Sequence, residues 1–218
     1  IAHEINNPHT PIQLAVQQLR EKDPGGSPAF SRILAESVEI VEDEVEALRR
    51  MVTSFSSFAR VPEARPEPVS VARLLGEFER AYGHLTEEAS DALEVAPAAE
   101  GVEVVGDRQL LKQCLVNLVE NAVLSGREAG RAPLRVRIRA VPDAEAGVVE
   151  IWVEDNGPGI PAAMRERVFD PYVSTRREGS GLGLAIVKKT VLDLGGEVRI
   201  DESELGGAAV ILRLKLHR

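Results

Sequence analysis

The chain has 218 residues, 44% of them hydrophobic, so it is long enough to bury a proper core in one large domain or two small ones. Its 35 acidic and 26 basic residues give a formal net charge of -9, which argues against nucleic acid or an anionic membrane surface as the main partner. No run of about 18 apolar residues is present, so we expect this part of the chain to make no membrane contact.

The cysteine content and the first residues of the sequence give an expectation for the cellular compartment. The single cysteine, Cys114, excludes an intramolecular disulfide, and we expect it to pack as a small hydrophobe in a reducing compartment. The sequence begins without methionine and without a basic-then-apolar leader. We therefore interpret it as a cytoplasmic piece of a longer protein, with room for sensory or membrane segments upstream.

The first 60 residues predict a helical hairpin. Between positions 30 and 59 apolar residues recur at alternating spacings of four and three, which is the heptad seam of a helix in a bundle or coiled coil. Its members are Leu34, Val38, Val41, Val45, Leu48, Val52, Phe55 and Ala59. A similar stripe precedes a break rich in Pro and Gly at 23–28. Because two amphipathic helices cannot enclose a core alone, we expect a homodimeric four-helix bundle over residues 1–60.

The rest of the chain predicts a second domain of mixed structure. Residues 61–68 hold three prolines and predict a linker, so the second domain covers 69–218. Helices are expected over 71–84, 107–128 and 182–194, and strands over 92–95, 102–105, 134–141, 148–153, 197–200 and 208–216. The predicted fold class is therefore α+β, a helical hairpin followed by an α/β sandwich with helices on one face of a sheet.

The first candidate site is a histidine beside a carboxylate in His3-Glu4-Ile5-Asn6-Asn7-Pro8. On a helix, His3 lies about 200° around from Ile1, away from the apolar stripe, and Asn7 shares its face one turn later. An unprotonated imidazole nitrogen is a nucleophile, and Glu4 can fix the ring tautomer and support the charge that develops on attack. An ordinary exposed helix face also carries such residues, so this pair alone does not identify a site.

The second candidate is the helical run Asn117-Leu118-Val119-Glu120-Asn121, whose two asparagines share one face. Amide oxygens can complete the coordination shell of a Mg²⁺ ion that is held largely by phosphates. Asparagines on an exposed helix face need no ligand, so both interpretations stay open at this point.

The third candidate is Asp155, which follows the strand pattern 148–153 and opens the run Asp155-Asn156-Gly157-Pro158-Gly159. A carboxylate at a strand end can accept a hydrogen bond from the amino group of adenine, and Gly157 and Gly159 let the backbone approach the base. An Asp-Asn-Gly turn after a strand is also common without a ligand.

The fourth candidate is Gly179-Ser180-Gly181-Leu182-Gly183, which opens the last predicted helix. Backbone N–H groups at a helix N-terminus stabilise phosphates. The glycine spacing matches neither the Walker motif nor a dinucleotide fingerprint, because no strand directly precedes it.

Taken in this order, these elements resemble the kinase core of bacterial two-component sensor histidine kinases over essentially the whole chain. The segments similar to that family's motifs are 3–8 (phospho-acceptor box), 117–121 (N box), 155–159 (first glycine box), 169–172 (F box) and 179–183 (second glycine box). The run 10–14, Thr-Pro-Ile-Gln-Leu, further resembles nitrogen-regulation-type sensor kinases.

The resemblance implies a kinase that uses Mg²⁺ and ATP to phosphorylate His3 and passes the phosphoryl group to an aspartate of a response-regulator receiver domain. It implies that Glu4 is the acid/base that assists His3, and that Asn7 orients water when the protein acts as a phosphatase on its partner. His9 lies about 240° around the helix from His3, so we expect no second acceptor.

The resemblance also implies a set of nucleotide-binding residues. Asn121 would bind Mg²⁺, Asn117 would help to hold phosphates, and Asp155 would read adenine. The remaining members are Gly157, Gly159, Arg176, Gly179, Gly181, Leu182 and Gly183.

Two alternatives stay open. In an ATPase of the same GHKL superfamily, a glutamate on the N-box helix activates water; the corresponding residue here is Asn117, and an amide cannot serve as a general base. An inactive signalling scaffold would keep the fold without the activity.

Overall fold

The structure is a computed structural model that describes residues 12, 32–45, 63–83, 92–174 and 181–217. The Cα positions divide the chain into two compact units, Ile1–Arg60 and Val61–Arg218. The break at 23–28 lies outside the described residues, so the hairpin, its homodimer and the domain boundaries stay predictions.

In the first unit, residues 32–45 form a helix, as the heptad pattern predicts. Three residues of the predicted seam are exposed, with side-chain exposures of 41% for Leu34, 43% for Val38 and 52% for Val45. Ser37 is the one buried residue among positions 32–45. Along this segment the apolar seam is therefore open to solvent.

The second unit contains a five-stranded sheet. Its strands are β2 (Ala92–Val95), β4 (Arg135–Asp143), β5 (Val148–Asp155), β6 (Glu197–Glu202) and β7 (Ala208–Lys215). The strand order is β2-β4-β5-β7-β6, with β2 parallel to β4 and the other neighbours antiparallel. The strand patterns predicted all five, and β4, β5 and β6 each extend two residues beyond their predicted ends.

A smaller sheet pairs β1 (Glu67–Ser70) with β3 (Glu103–Gly106) in antiparallel fashion. The sequence predicted β3 within one residue but not β1, which begins inside the segment 61–68 assigned to a linker. Pro68 lies opposite Val105, and a strand at the edge of a two-stranded sheet tolerates a residue without an N–H group.

Three helices follow the predicted pattern, and two of them have clear N-terminal caps. Helix α1 (Val71–Tyr82) is capped by the Ser70 hydroxyl, and α2 (Arg108–Glu128) by the Asp107 carboxylate, which accepts from the N–H groups of the first turn. Helix α3 (Gly183–Asp193) ends before Gly195, whose φ of +71° suits a glycine at the C-terminal end of a helix.

The hydrophobic core lies between these helices and one face of the five-stranded sheet. Period-two alternation places Val136 and Ile138 of β4 and Val149 and Ile151 of β5 on this face, and all four are buried. The helices contribute apolar residues such as Leu111, Leu115, Leu118, Val187 and Val191. Cys114 is fully buried as predicted, and burial raises the pKa of its thiol to about 12.

The other face of the sheet is charged. Trp152 lies between two guanidinium groups, with the Arg139 Cζ atom 4.2 Å and the Arg199 Cζ atom 5.3 Å from its ring centre. Glu154, fully buried on this face, accepts hydrogen bonds from Arg137 and Arg139. Among the described residues of the second unit, helices therefore pack on one face of the sheet only, as predicted for a two-layered sandwich.

Candidate functional site

Asp155, at the end of β5, has its side chain fixed by backbone groups from two parts of the chain. Its Oδ1 atom accepts from the N–H groups of Gly157 at 2.8 Å and Ala208 at 3.1 Å. The Gly207 N–H donates to the Asp155 carbonyl at 3.0 Å. Burial raises the pKa of the Asp155 carboxyl, although the two backbone hydrogen bonds oppose this shift. The protein thus engages one carboxylate oxygen, Oδ1, through backbone groups on two sides.

Two glycines predicted to line the site have steric reasons for being glycine. A Cβ atom on Gly157 would lie 2.9 Å from Asp155 Oδ1, and 3.7 Å from the Gly126 Cα atom of α2. Gly159 has a φ of +75°, in the left-handed region that side chains disfavour. The turn after β5 therefore packs against the C-terminal part of α2 at Gly157, where a side chain has no room beside Asp155.

Gly207, in the β6–β7 hairpin, was not predicted to belong to the site. A Cβ atom there would lie 2.6 Å from both the Asp155 carbonyl oxygen and the Gly157 nitrogen, and would also overlap Asp155 Oδ1. The sequence signal was the pair Gly206-Gly207 between two strand patterns, which indicates a hairpin but not its distant neighbour.

Helix α2 presents the two predicted asparagines, both half-buried. Asn121 adjoins the start of α3, since a Cβ atom on Gly183 would lie 3.3 Å from Asn121 Nδ2. The Oδ1 atom of Asn117 accepts from Gln113 Nε2 at 3.2 Å, while its buried Nδ2 atom has no hydrogen-bond partner among the described residues. Gln113 was not predicted, although its spacing of four from Asn117 places both on one helix face.

The F box and the second glycine box meet before α3. The Tyr172 N–H donates to the Gly181 carbonyl at 2.9 Å, and Tyr172 itself has a φ of +67°. Gly181 has a φ of +64°, and a Cβ atom there would lie 2.5 Å from the Tyr172 carbonyl carbon. Leu182 follows and has no side-chain acceptor for the N–H groups at the start of α3.

The structure thus places Asn121 of α2 beside Gly183, and it places Gly157 against the same helix. His3, Glu4, Asn7, Arg176 and Gly179 lie outside the described residues, and their roles stay predictions.

Two observations support a nucleotide as the ligand of these residues. The buried Asn117 Nδ2 is a donor without an acceptor, which a phosphate oxygen would supply. Gly181 and Gly183 are half-buried, and a Cβ atom would overlap Tyr172 at the first and crowd the Asn121 amide at 3.3 Å at the second, so glycine keeps the backbone accessible there.

One strand of the sheet ends in a fixed carboxylate. The neighbouring helices present amide side chains and a helix N-terminus that begins with glycine. This arrangement is typical of a nucleotide-binding domain. The family model described as "Histidine kinase-, DNA gyrase B-, and HSP90-like ATPase" matches residues 106–218.

Known proteins narrow this class further. The chain is 36% identical to the nitrogen regulation protein NtrY of Azorhizobium caulinodans over 99% of its length, and 29% identical to the sensory histidine kinase/phosphatase NtrB of Rhizobium leguminosarum bv. phaseoli over 92%. The solved structure of the mycobacterial sensor histidine kinase MprB matches 70% of this chain and 99% of that chain, with 29% identity and a TM-score of 0.58. The chain therefore belongs to the histidine kinase-, DNA gyrase B- and HSP90-like ATPase family, and to its two-component sensor histidine kinases.

The matches cover only part of the relatives. The chain spans 28% of NtrY and 53% of NtrB, less than two thirds of either curated relative. Among the described residues, no helix is both long enough and apolar enough to cross a membrane.

Proposed function

We propose that this chain is a histidine kinase core that transfers the γ-phosphoryl group of ATP to His3 and then to an aspartate of a response-regulator receiver domain. The observation that carries the proposal is the buried, unpaired Nδ2 atom of Asn117 on the helix that also contacts Gly183 and Gly157. A donor in this position stabilises a phosphate beside the start of α3, where the helix dipole favours negative charge.

In this proposal the Oδ2 atom of Asp155 accepts from the adenine amino group. Asn117 donates to a phosphate, and the backbone at Gly181 and Gly183 borders the triphosphate together with Arg176, Gly179 and Leu182. Asn121 would hold a Mg²⁺ ion through its amide oxygen. The ion would supply neutralisation of phosphate charge.

The chemical step needs little covalent help from the protein beyond positioning. The unprotonated nitrogen of His3 attacks the γ-phosphorus, an N–P bond forms, and the bond to the bridging oxygen breaks so that ADP leaves with the electron pair. Glu4 accepts a hydrogen bond from the other ring nitrogen and stabilises its charge. The carboxylate of a receiver-domain aspartate then takes the phosphoryl group from His3, and Asn7 would orient the water that later removes it.

The N box favours a kinase over an ATPase as the main activity. At position 117 this chain has an amide, which cannot deprotonate water, and Glu120 is exposed on another part of the helix. The intact Asp155 site argues against an inactive scaffold, because the carboxylate assigned to adenine is present and its Oδ1 atom is held in place by two backbone N–H groups.

The predicted homodimer has support from the first unit. Leu34, Val38 and Val45 form an exposed apolar row at heptad spacing, which a second copy of the same helix would cover.

The test is labelling with ATP carrying a radioactive γ-phosphate. Wild-type protein should gain a label that is lost in acid and kept in alkali, as a phosphohistidine is. His3→Gln should gain none while still binding ATP, and the control His9→Gln should label normally. An acid-labile label on His3→Gln would contradict the acceptor assignment. Steady phosphate release without any phosphoprotein would favour the ATPase alternative. A protein that binds no ATP would favour the inactive scaffold.

A further inference from the structure

Three polar side chains follow one another at four-residue spacing on α2. Gln113, Asn117 and Asn121 therefore share a face of the helix. Gln113 is exposed, and its Nε2 atom donates to the Oδ1 atom of Asn117 at 3.2 Å. Asn117 and Asn121 are half-buried. The exposed residue thus makes a direct contact with one that faces the nucleotide site.

In the structure Gln113 is the donor in this hydrogen bond. It uses the oxygen end of the Asn117 amide, and it leaves the buried Nδ2 end without a partner among the described residues. A buried unpaired donor is unfavourable unless a ligand supplies an acceptor. Ionised phosphate oxygens accept hydrogen bonds, so this orientation of the Asn117 amide is the one that suits a phosphate.

The position of Asn117 along α2 indicates which phosphate it reads. Gly126 of this helix lies against Gly157, two residues after Asp155. Asn121 of the same helix lies against the start of α3. Asn117 lies nine residues before Gly126, about 13.5 Å along the helix at 1.5 Å per residue. It therefore lies at the end of the site that is farthest from Asp155.

We infer that Gln113 is a positioning residue that holds the Asn117 amide with its NH₂ group toward the terminal phosphate, so that the site favours ATP over ADP. The inference rests on the proposed nucleotide site. It adds a residue that touches no nucleotide itself and acts through Asn117.

Gln113→Glu tests the orientation directly. A carboxylate only accepts hydrogen bonds, so Asn117 would rotate to donate its Nδ2 to Glu and would turn its oxygen toward the phosphate. Gln109→Glu is the matched control, because it adds the same charge on the same helix face one turn farther away, at an exposed side chain. Gln113→Met removes the hydrogen bond without adding charge.

Calorimetric titration of the full chain with the non-hydrolysable analogue AMPPNP and with ADP gives the readout. We expect Gln113→Glu to weaken AMPPNP binding about tenfold or more and ADP binding by no more than about threefold. The reason is that the variant loses a hydrogen bond to a charged group only when the ligand carries the terminal phosphate. Gln113→Met should lose AMPPNP affinity about threefold, and Gln109→Glu should stay within about twofold of wild type.

The ratio of the two affinities separates positioning from a merely structural role, which would weaken both ligands alike. Equal losses for AMPPNP and ADP, or a Gln113→Glu protein that behaves like Gln109→Glu, would overturn the inference. Wild-type protein that binds neither nucleotide would instead overturn the proposed function.

Discussion

Two neighbouring carboxyl groups at the end of β5 have pKa shifts of opposite sign. Burial pushes the pKa of Glu154 upward, yet the hydrogen bonds from Arg137 and Arg139 hold it below its ordinary value. Asp155 faces the helices, where burial acts without a contacting cation, and its pKa is raised. The alternation of strand side chains thus puts a structural ion pair and the carboxyl group that we assign to the nucleotide one residue apart.

A third carboxylate, Glu77 on α1, joins two helices. It accepts from Arg73 of its own helix, from Arg108, and lies 3.4 Å from Lys112 Nζ of α2. These hydrogen bonds, first from Arg108 and then from Arg73, lower the pKa of Glu77 to about 2.

We predict that Glu77→Gln lowers the melting temperature at pH 7. Because the folded pKa lies below the ordinary 4.5, ionised Glu77 stabilises the fold fully above about pH 5, and this contribution disappears as the pH falls from 4.5 to about 2. Thermal unfolding followed by circular dichroism should show the two proteins converging near pH 2. Glu79→Gln, an exposed carboxylate on the same helix, is the control and should melt like wild type throughout; a constant gap between Glu77→Gln and wild type at all pH values would refute the ion pairs as the cause.

At the scale of elements, the β6–β7 hairpin is part of the candidate site. Its residues Gly207 and Ala208 hold Asp155 through two hydrogen bonds. Glu204, in the same hairpin, pairs with Arg137 at 2.6 Å, and this links the loop to the charged face of the sheet. The hairpin therefore positions the carboxylate assigned to adenine.

We predict that Gly207→Ala weakens ATP binding about tenfold and destabilises the fold by about 1–3 kcal/mol, because the added methyl overlaps Asp155 and must displace it. Calorimetric titration with ATP and urea unfolding measure the two effects. Gly76→Ala is the matched control: its Cβ meets only ordinary contacts inside α1, so it should stabilise by about 0.5–1 kcal/mol and leave binding unchanged. Unchanged ATP affinity in Gly207→Ala would show that the hairpin does not position Asp155.

The elements differ in how well local sequence predicts them. Helix α2 follows from the cap at Asp107 and a long apolar stripe, and β5 from an apolar run of the right length. Strand β1 was not predicted, since it has four residues, one of them proline, and its pairing partner β3 begins more than thirty residues later. Its existence depends on a distant segment rather than on its own pattern.

At the scale of the whole molecule, the nucleotide site and the hydrophobic core belong to one unit. In the described segments, one cluster of buried apolar residues extends from Val69 to Leu214. Asn117, Asn121 and Asp155 border this cluster, while the assigned acceptor His3 belongs to the other unit, Ile1–Arg60.

We predict that residues 61–218 expressed alone fold cooperatively and bind ATP within about twofold of the full chain, because the described members of the core cluster all belong to this unit. Circular dichroism melting and calorimetric titration measure these properties. The fragment should gain no label from ATP, since it lacks His3, and it should phosphorylate no other residue of its own. A fragment that fails to melt cooperatively, or that binds ATP more than tenfold more weakly, would place part of the site in the first unit.

The sequence by itself determined the helices and strands with strong periodicity, the order of the motifs, and the family that they indicate. It could do so because periodicity, caps and glycine turns are local properties of the chain. The tertiary structure decided that Ala208, 53 residues after Asp155, donates to its carboxylate, and that Gly207 donates to its carbonyl. It also decided that the Nδ2 atom of Asn117 is buried without a partner among the described residues, while its Oδ1 atom accepts from Gln113. These features depend on which distant backbone approaches and which side chains lose contact with water, and no local pattern encodes either.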